Sequence, residues 1–193
     1  MTDGVGVVAM EPTDSELMGR VRDGELERLS ELFERHHRRL YGFFLRLTGD
    51  AAGAEDLVQE VFVRLIKYRH SFRVDAEFTP WLFTLARNAG VDHFRSRPKE
   101  LPHAEDAPEP AAALEHPVAA LERREQTELL QAALGRLPHD KRELLVLARF
   151  GEMRYERIAE LLGITVGAVK VRVHRALKEL RAAYRAVEGE GVA

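Results

Sequence analysis

Near the C-terminus, Arg172, His174, Arg175 and Lys178 fall close together with Val171 among them. Guanidinium, imidazole and ammonium groups at that density can meet phosphate oxygens and guanine edges, and a valine can meet a thymine methyl. A second group, Asp56, Gln59, Glu60 and Val63, sets carboxylates and an amide around an apolar side chain. That combination repels phosphate and suits a basic helical surface on another protein. A third group, Trp81, Asn88, Asp92 and Arg95, follows an aromatic and basic segment containing Phe72. Rings beside an amide and an arginine can stack on unpaired bases and hydrogen-bond to them. Catalysis finds no footing. The eight histidines are scattered, and no pair stands four residues apart with a supporting acid. No phosphate-binding glycine loop or nucleophile elbow occurs, and with no cysteine a thiolate zinc site is excluded. No enzyme, metal or cofactor is expected.

Helices must position these groups. Thr13-x-x-Glu16 is a capping box that opens a first helix. Leu29, Leu32, Phe33, Leu40, Phe43, Phe44 and Leu47 recur at helical spacing over residues 28–47, and Gly49-Asp50 ends that run and caps the next, about 52–68. There Leu57, Val58, Val61, Phe62, Leu65, Ile66 and Tyr68 form the side expected to be buried, with Asp56, Gln59, Glu60 and Val63 opposite. Thr79 before Pro80 predicts an N-cap and a helix from Trp81 to about Arg97. Its inner side is Leu82, Phe83, Leu85, Ala86, Ala89 and Phe94, which leaves Trp81, Thr84, Asn88, Asp92 and Arg95 outward. Further helices are expected at 118–136, 138–150, 155–162 and 166–187, with no convincing strand. The fold class is all-α.

The segment 155–170 reads as a helix-turn-helix. Gly163 suits a left-handed C-cap and Thr165 an N-cap, and helices joined so tightly must cross steeply. At about 100° per residue, Val166, Val169, Val173, Ala176, Leu177, Leu180 and Tyr184 share one stripe. The opposite arc holds Gly167, Ala168, Val171, Arg172, His174, Arg175 and Lys178, small at the tip and basic at the rim. A helix entering a major groove has that profile.

The 193 residues, 45% hydrophobic and 32% charged, suffice for two small domains. The formal charge of −3 conceals alternation: residues 1–34 carry −6, 35–97 carry +4, 98–118 carry −4 and 119–193 carry +3. Local basic faces, not whole-chain charge, mark a nucleic-acid binder. Five prolines between residues 98 and 117 mark a linker that is acidic and Ala-rich. No apolar run reaches the roughly 18 residues of a membrane span, and the first 16 residues lack the Lys or Arg of a secretory signal. The expected location is cytoplasmic.

These motifs, in this order, resemble the sigma-70 family of bacterial RNA polymerase sigma factors, in its extracytoplasmic-function (ECF) group. Residues 54–64 resemble the second-region helix, and Trp81 to Asn88 with Asp92 and Arg95 resemble the promoter-melting, −10-reading helix. Leu137-Pro-x-x-x-Arg-Glu143 and residues 155–180 resemble the fourth-region domain that reads the −35 element. The likeness implies a region 2 domain over 14–97, a linker over 98–117 and a region 4 domain over 118–187. It implies that Asp56, Gln59, Glu60 and Val63 meet the clamp helices of the polymerase's largest subunit, and that the polymerase flap is a further contact. It implies that Phe72, Trp81, Asn88, Asp92 and Arg95 handle the −10 element. Thr165, Lys170, Val171, Arg172, His174, Arg175 and Lys178 would serve the −35 element. Core RNA polymerase, promoter DNA and an anti-sigma factor are the implied partners, without membrane insertion. Arg154 stands where the family often has a hydroxyl cap, and Val171 where a small hydroxyl residue is frequent. A stand-alone helix-turn-helix regulator is the alternative; it accounts for the C-terminal body but not for the Asp56 patch or the Trp81 face.

Overall fold

The structure, a computed structural model, describes residues 11–96, 117–151 and 153–190. The predicted linker lies almost wholly outside the described residues. Helices make up the whole regular structure of the described residues, in the order α1 (Asp14–Asp23), α2 (Leu29–Thr48), α3 (Ala51–Tyr68), α4 (Phe78–Ser96), α5 (Pro117–Gly135), α6 (His139–Phe150), α7 (Tyr155–Leu162) and α8 (Val166–Glu190). Short 3-10 turns at Leu26–Arg28 and Arg69–Ser71 were not anticipated from sequence.

Local chemistry sets the helix ends. The Thr13 hydroxyl accepts from the Glu16 N–H, and the Glu16 carboxylate accepts from the Thr13 N–H at 2.7 Å, so the capping box forms. Those bonds hold the Glu16 carboxyl below its ordinary range. Gly49 closes α2 at φ 75°, where a side chain would be strained, and Asp50 then accepts from the Gly53 N–H at 3.0 Å to open α3. The start of α4 differs from expectation. Phe78, not Trp81, begins it, so Thr79 lies inside the helix and is not its cap. The first turn leaves its N–H groups without helical partners, so Pro80 is tolerated at its third residue as well as its first. Buried Phe78, ringed by Phe72 and Trp81, draws the chain into the helix early.

In the N-terminal body, α1 to α4 enclose Leu17, Met18, Leu32, Leu40, Phe43, Phe44, Leu65, Leu82 and Phe83, all fully buried. Phe43 meets Phe44 and Phe83 edge-on at 5.1 and 5.3 Å, a favourable aromatic geometry. His36, the buried histidine of the adjacent pair, lies 2.7 Å from Asp14 and ties α1 to α2, while His37 stacks on Phe33. In the C-terminal body α6 buries Leu144 to Leu147, and α8 buries Val169, Val173 and Ala176, in agreement with its helical phase.

The two bodies are in direct contact. Arg142 donates to the Leu47 carbonyl at 3.0 Å and Gln131 to the Leu45 carbonyl at 2.7 Å, both in the last turn of α2. Arg39 donates to the Phe150 carbonyl at 2.9 Å, and the Arg46 guanidinium lies 4.0 Å above the Phe150 ring. Arg87 of α4 pairs with Glu143 of α6 at 3.0 Å. The His139 ring meets Phe94 edge-on at 4.4 Å. Burial there pushes the His139 pKa below its ordinary value.

Candidate functional site

Along α3, Asp56, Gln59 and Val63 are exposed and Glu60 is partly so; Val63, at 59%, is among the most exposed large apolar side chains described. Leu57, Val58, Val61, Phe62 and Leu65 are buried on the opposite side, Ile66 partly so. Tyr68 departs from the expected inner face. It sits at the helix end, 44% exposed, with the Lys67 ammonium 5.3 Å from its ring.

On α4, Asn88, Asp92 and Arg95 are exposed along one stripe. Two aromatic expectations need correction. Phe72 is 2% exposed, because its ring completes the core against Phe78 and Trp81, and so it presents no stacking surface. Trp81 is not fully outward. It is half-buried, held edge-on to Phe72 at 5.2 Å, and its free side borders a cleft of about 730 Å³. The cleft is also lined by Arg154 and, on α7, by Glu156, Arg157 and Glu160. Thr84 turns back on its helix and donates to the Pro80 carbonyl.

Arg64 escaped the sequence reading as a site residue. Its guanidinium lies between two groups just described, 2.6 Å from Glu60 and 2.9 Å from Asp92. Burial opposes its charge, but the bonds to both carboxylates outweigh that and raise its pKa. The Glu60 contact was legible as an i, i+4 pair. The Asp92 contact crosses helices and left no local signal.

The helix-turn-helix forms as expected. Gly163 has φ 65°, and the Ile164 N–H reaches back to the Ala159 carbonyl. Arg154 precedes α7 at the N-cap position and makes no side-chain cap. Thr165 accepts from the Ala168 N–H at 3.2 Å and opens α8. Lys170, Val171, Arg172, His174, Arg175 and Lys178 are all exposed, Val171 by 50%. None of these side chains takes part in an ion pair among the described residues, so their charges face solvent. The α8 cations thus sit on one body, and the α3 and α4 groups on the other.

No group of three or more His, Cys, Asp or Glu placed to hold a metal occurs among the described residues, and none of their helices is long and apolar enough to cross a membrane. A family model described as Sigma-70 region 2 matches residues 32–100, and one described as Sigma-70, region 4 matches residues 127–180. The chain is 36% identical over 166 residues to the RNA polymerase sigma factor CarQ of Myxococcus xanthus, covering 85% of this chain and 93% of that one. It is 32% identical over 158 residues to the ECF RNA polymerase sigma factor SigM of Bacillus subtilis, covering 81% and 94%. The chain belongs to the ECF group of the sigma-70 family. This sigma factor also resembles the solved sigma factor RpoE of Bartonella quintana, crystallised with the anti-sigma factor NepR. That likeness has a TM-score of 0.64 at 25% identity and covers 81% of this chain and 96% of that one. As a sigma factor it acts with core RNA polymerase on promoter DNA in transcription initiation.

Proposed function

We propose that the two bodies divide promoter recognition between them. The N-terminal body, residues 14–97, docks on the clamp helices of the polymerase's largest subunit through Asp56, Gln59, Glu60 and Val63. It opens and reads the −10 element with Trp81, Asn88, Asp92 and Arg95. Phe72 supports the Trp81 ring from beneath and does not touch DNA. The C-terminal body, residues 118–187, follows the linker 98–117, reads the −35 element and meets the flap. There Thr165 fixes the start of α8, while Lys170, Val171, Arg172, His174, Arg175 and Lys178 face the groove. The observation that carries this reading is the charge separation between exposed faces: carboxylates surround Val63, and cations that make no ion pair among the described residues surround Val171. A phosphate backbone favours the second face and a basic protein surface the first.

The contact between the bodies sets a condition on this function. The −10 and −35 elements lie about 25 base pairs apart, or about 85 Å of duplex. A compact chain of this length is only about 40 Å across. The seam between the bodies therefore opens when both elements are read, and the polymerase supplies the spacing. An anti-sigma factor is a further proposed partner, by likeness to the complex of RpoE with NepR. The chain does no bond chemistry of its own and works in the cytoplasm, where core polymerase is found.

Run-off transcription with purified core polymerase on a genomic promoter library tests the proposal. The expected result is specific transcripts that depend on the chain and vanish when Asp56 and Glu60 are both reversed in charge. A chain that binds promoter duplex tightly on its own and fails to support run-off would favour the stand-alone regulator.

A further inference from the structure

Arg64 joins two surfaces that serve different partners. Its side chain is 19% exposed and lies against the protein, while the carboxylates it holds are 44% exposed for Glu60 and 56% for Asp92. Glu60 belongs to the docking face of α3, and Asp92 to the DNA stripe of α4. The guanidinium carries five donors in a fixed fork, so it can hold both carboxylates at once. At neutral pH the three side chains together carry one excess negative charge. That charge stands beside the stripe a phosphate backbone must approach.

We propose that Arg64 is a positioning residue that couples polymerase docking to −10 recognition, through its shared hold on Glu60 and Asp92. A basic partner surface that takes Glu60 competes with Arg64 for that carboxylate. The partner's cation cancels the excess negative charge, and Arg64 keeps Asp92 alone. The repulsion of phosphate by the α4 stripe falls, and donors on Arg64 become free beside it. Linkage makes the effect reciprocal: DNA on the stripe strengthens docking by the same factor. The inference rests on the assignment of Glu60 to docking and Asp92 to the −10 face.

Glu60→Gln imitates the docked state, since it removes the carboxylate charge and weakens its claim on Arg64. The probe is a short fluorescent single-stranded DNA of mixed sequence, titrated at low ionic strength against the full chain. Glu60→Gln should tighten its binding about five-fold, the low end of coupling between sites. Asp56→Asn controls for simple loss of a negative charge, because Asp56 lies on the same face and makes no ion pair among the described residues. Its effect should be clearly smaller. In an Arg64→Met background the effect of Glu60→Gln should shrink to that of Asp56→Asn. Arg64→Lys should behave like Arg64→Met, since a single ammonium does not span both carboxylates with a rigid fork. Helical circular dichroism identifies any variant that fails to fold, and Arg64→Lys keeps the test available if Arg64→Met does. Core polymerase binding is measured on the same proteins. If Glu60→Gln leaves core binding unchanged, the docking assignment itself fails. If core binding weakens but DNA binding responds no more than in Asp56→Asn, the coupling fails and the docking assignment stands. A flat response across the set, absent binding included, overturns the coupling.

Discussion

Glu143 on α6 and Arg87 on α4 stand 3.0 Å apart across the boundary between the two bodies, 11% and 22% exposed. Each is the other's counter-charge in a place largely shut to water. Breaking a buried pair by removing one partner costs about 3–5 kcal/mol, because the survivor stays buried without compensation. Arg87→Glu should therefore drive the bodies apart, and Arg87→Glu with Glu143→Arg should bring them back. The chain has no cysteine of its own, so dyes on Glu55→Cys and Glu188→Cys report the separation cleanly. An unchanged distance in the single reversal would mean the pair does not hold the seam.

Protonation of His139 should loosen the same seam. Its imidazole is partly buried against Phe94, its Nε2 has no hydrogen-bond partner among the described residues, and burial depresses its pKa below the ordinary 6.5. Glu143 and Asp140 pull that value up, while Arg142 and Arg87 push it down. A depressed pKa means the opened state binds the proton more readily. The stabilisation is thus present above 6.5 and is lost as pH falls below it. The dye separation should grow on acidification through that range, and His139→Leu should flatten the response. A pH profile identical in the two proteins would mean that His139 does not control the seam.

Reversing both carboxylates of the proposed docking face, Asp56→Arg with Glu60→Arg, should weaken core polymerase binding at least about ten-fold, or 1.4 kcal/mol. Binding of −35 duplex should not change, since α8 lies on the other body. Surface plasmon resonance against immobilised core gives the first quantity and fluorescence anisotropy the second. Equal core affinity would rule out this face.

On α8, Arg175→Ala separates two kinds of contact. A bidentate bond to guanine would make the loss about 1–3 kcal/mol and confine it to one base position. A phosphate contact would weaken all sequences alike and reduce the salt slope by about one. Val171→Ser should leave overall affinity nearly intact and shift preference at a thymine. Selection from a randomised −35 pool, wild type against Val171→Ser, reads this directly. Indistinguishable base profiles would make Val171 an ordinary exposed valine.

Stability should concentrate in the aromatic centre. Phe43→Ala removes a fully buried ring that two other rings contact, and a loss of about 3–5 kcal/mol is expected. Asp50→Ala, which loses the cap of α3, should cost at least about 1 kcal/mol. Urea denaturation measures both, and similar losses would contradict this ranking.

Local rules carried the sequence reading far. α7 falls where Gly163 and the apolar spacing put it, and Thr13 and Asp50 cap the helices they were expected to cap. The exposed arc of α8 and the outer face of α3 followed from periodicity, because one buried stripe fixes the whole rotation of a helix. Failures came where a distant neighbour decided the outcome. Phe72 and Trp81 had equal claims to the surface until Phe78 packed with both. Arg64 reaches Asp92, and Arg142 reaches the Leu47 carbonyl, across sequence gaps that periodicity cannot see. Leu137-Pro-x-x-x-Arg-Glu143 was legible as a motif, but its engagement of the N-terminal body was not.

On α8, the residues that hold the helix and those that face outward are separate sets. Val169, Val173 and Ala176 are buried, while Val171, Arg172, Arg175 and Lys178 touch no core. Surface substitutions away from special features usually change stability by only about 0.5 kcal/mol. A lineage can therefore alter the outward set step by step, with every intermediate still folded, and duplicated copies can diverge in the genes they switch on. Arg87 and Glu143 have no such freedom, since a change in either strands the other. Regulatory targets in such a protein can drift quickly, while the contact between its two halves changes only by paired substitution.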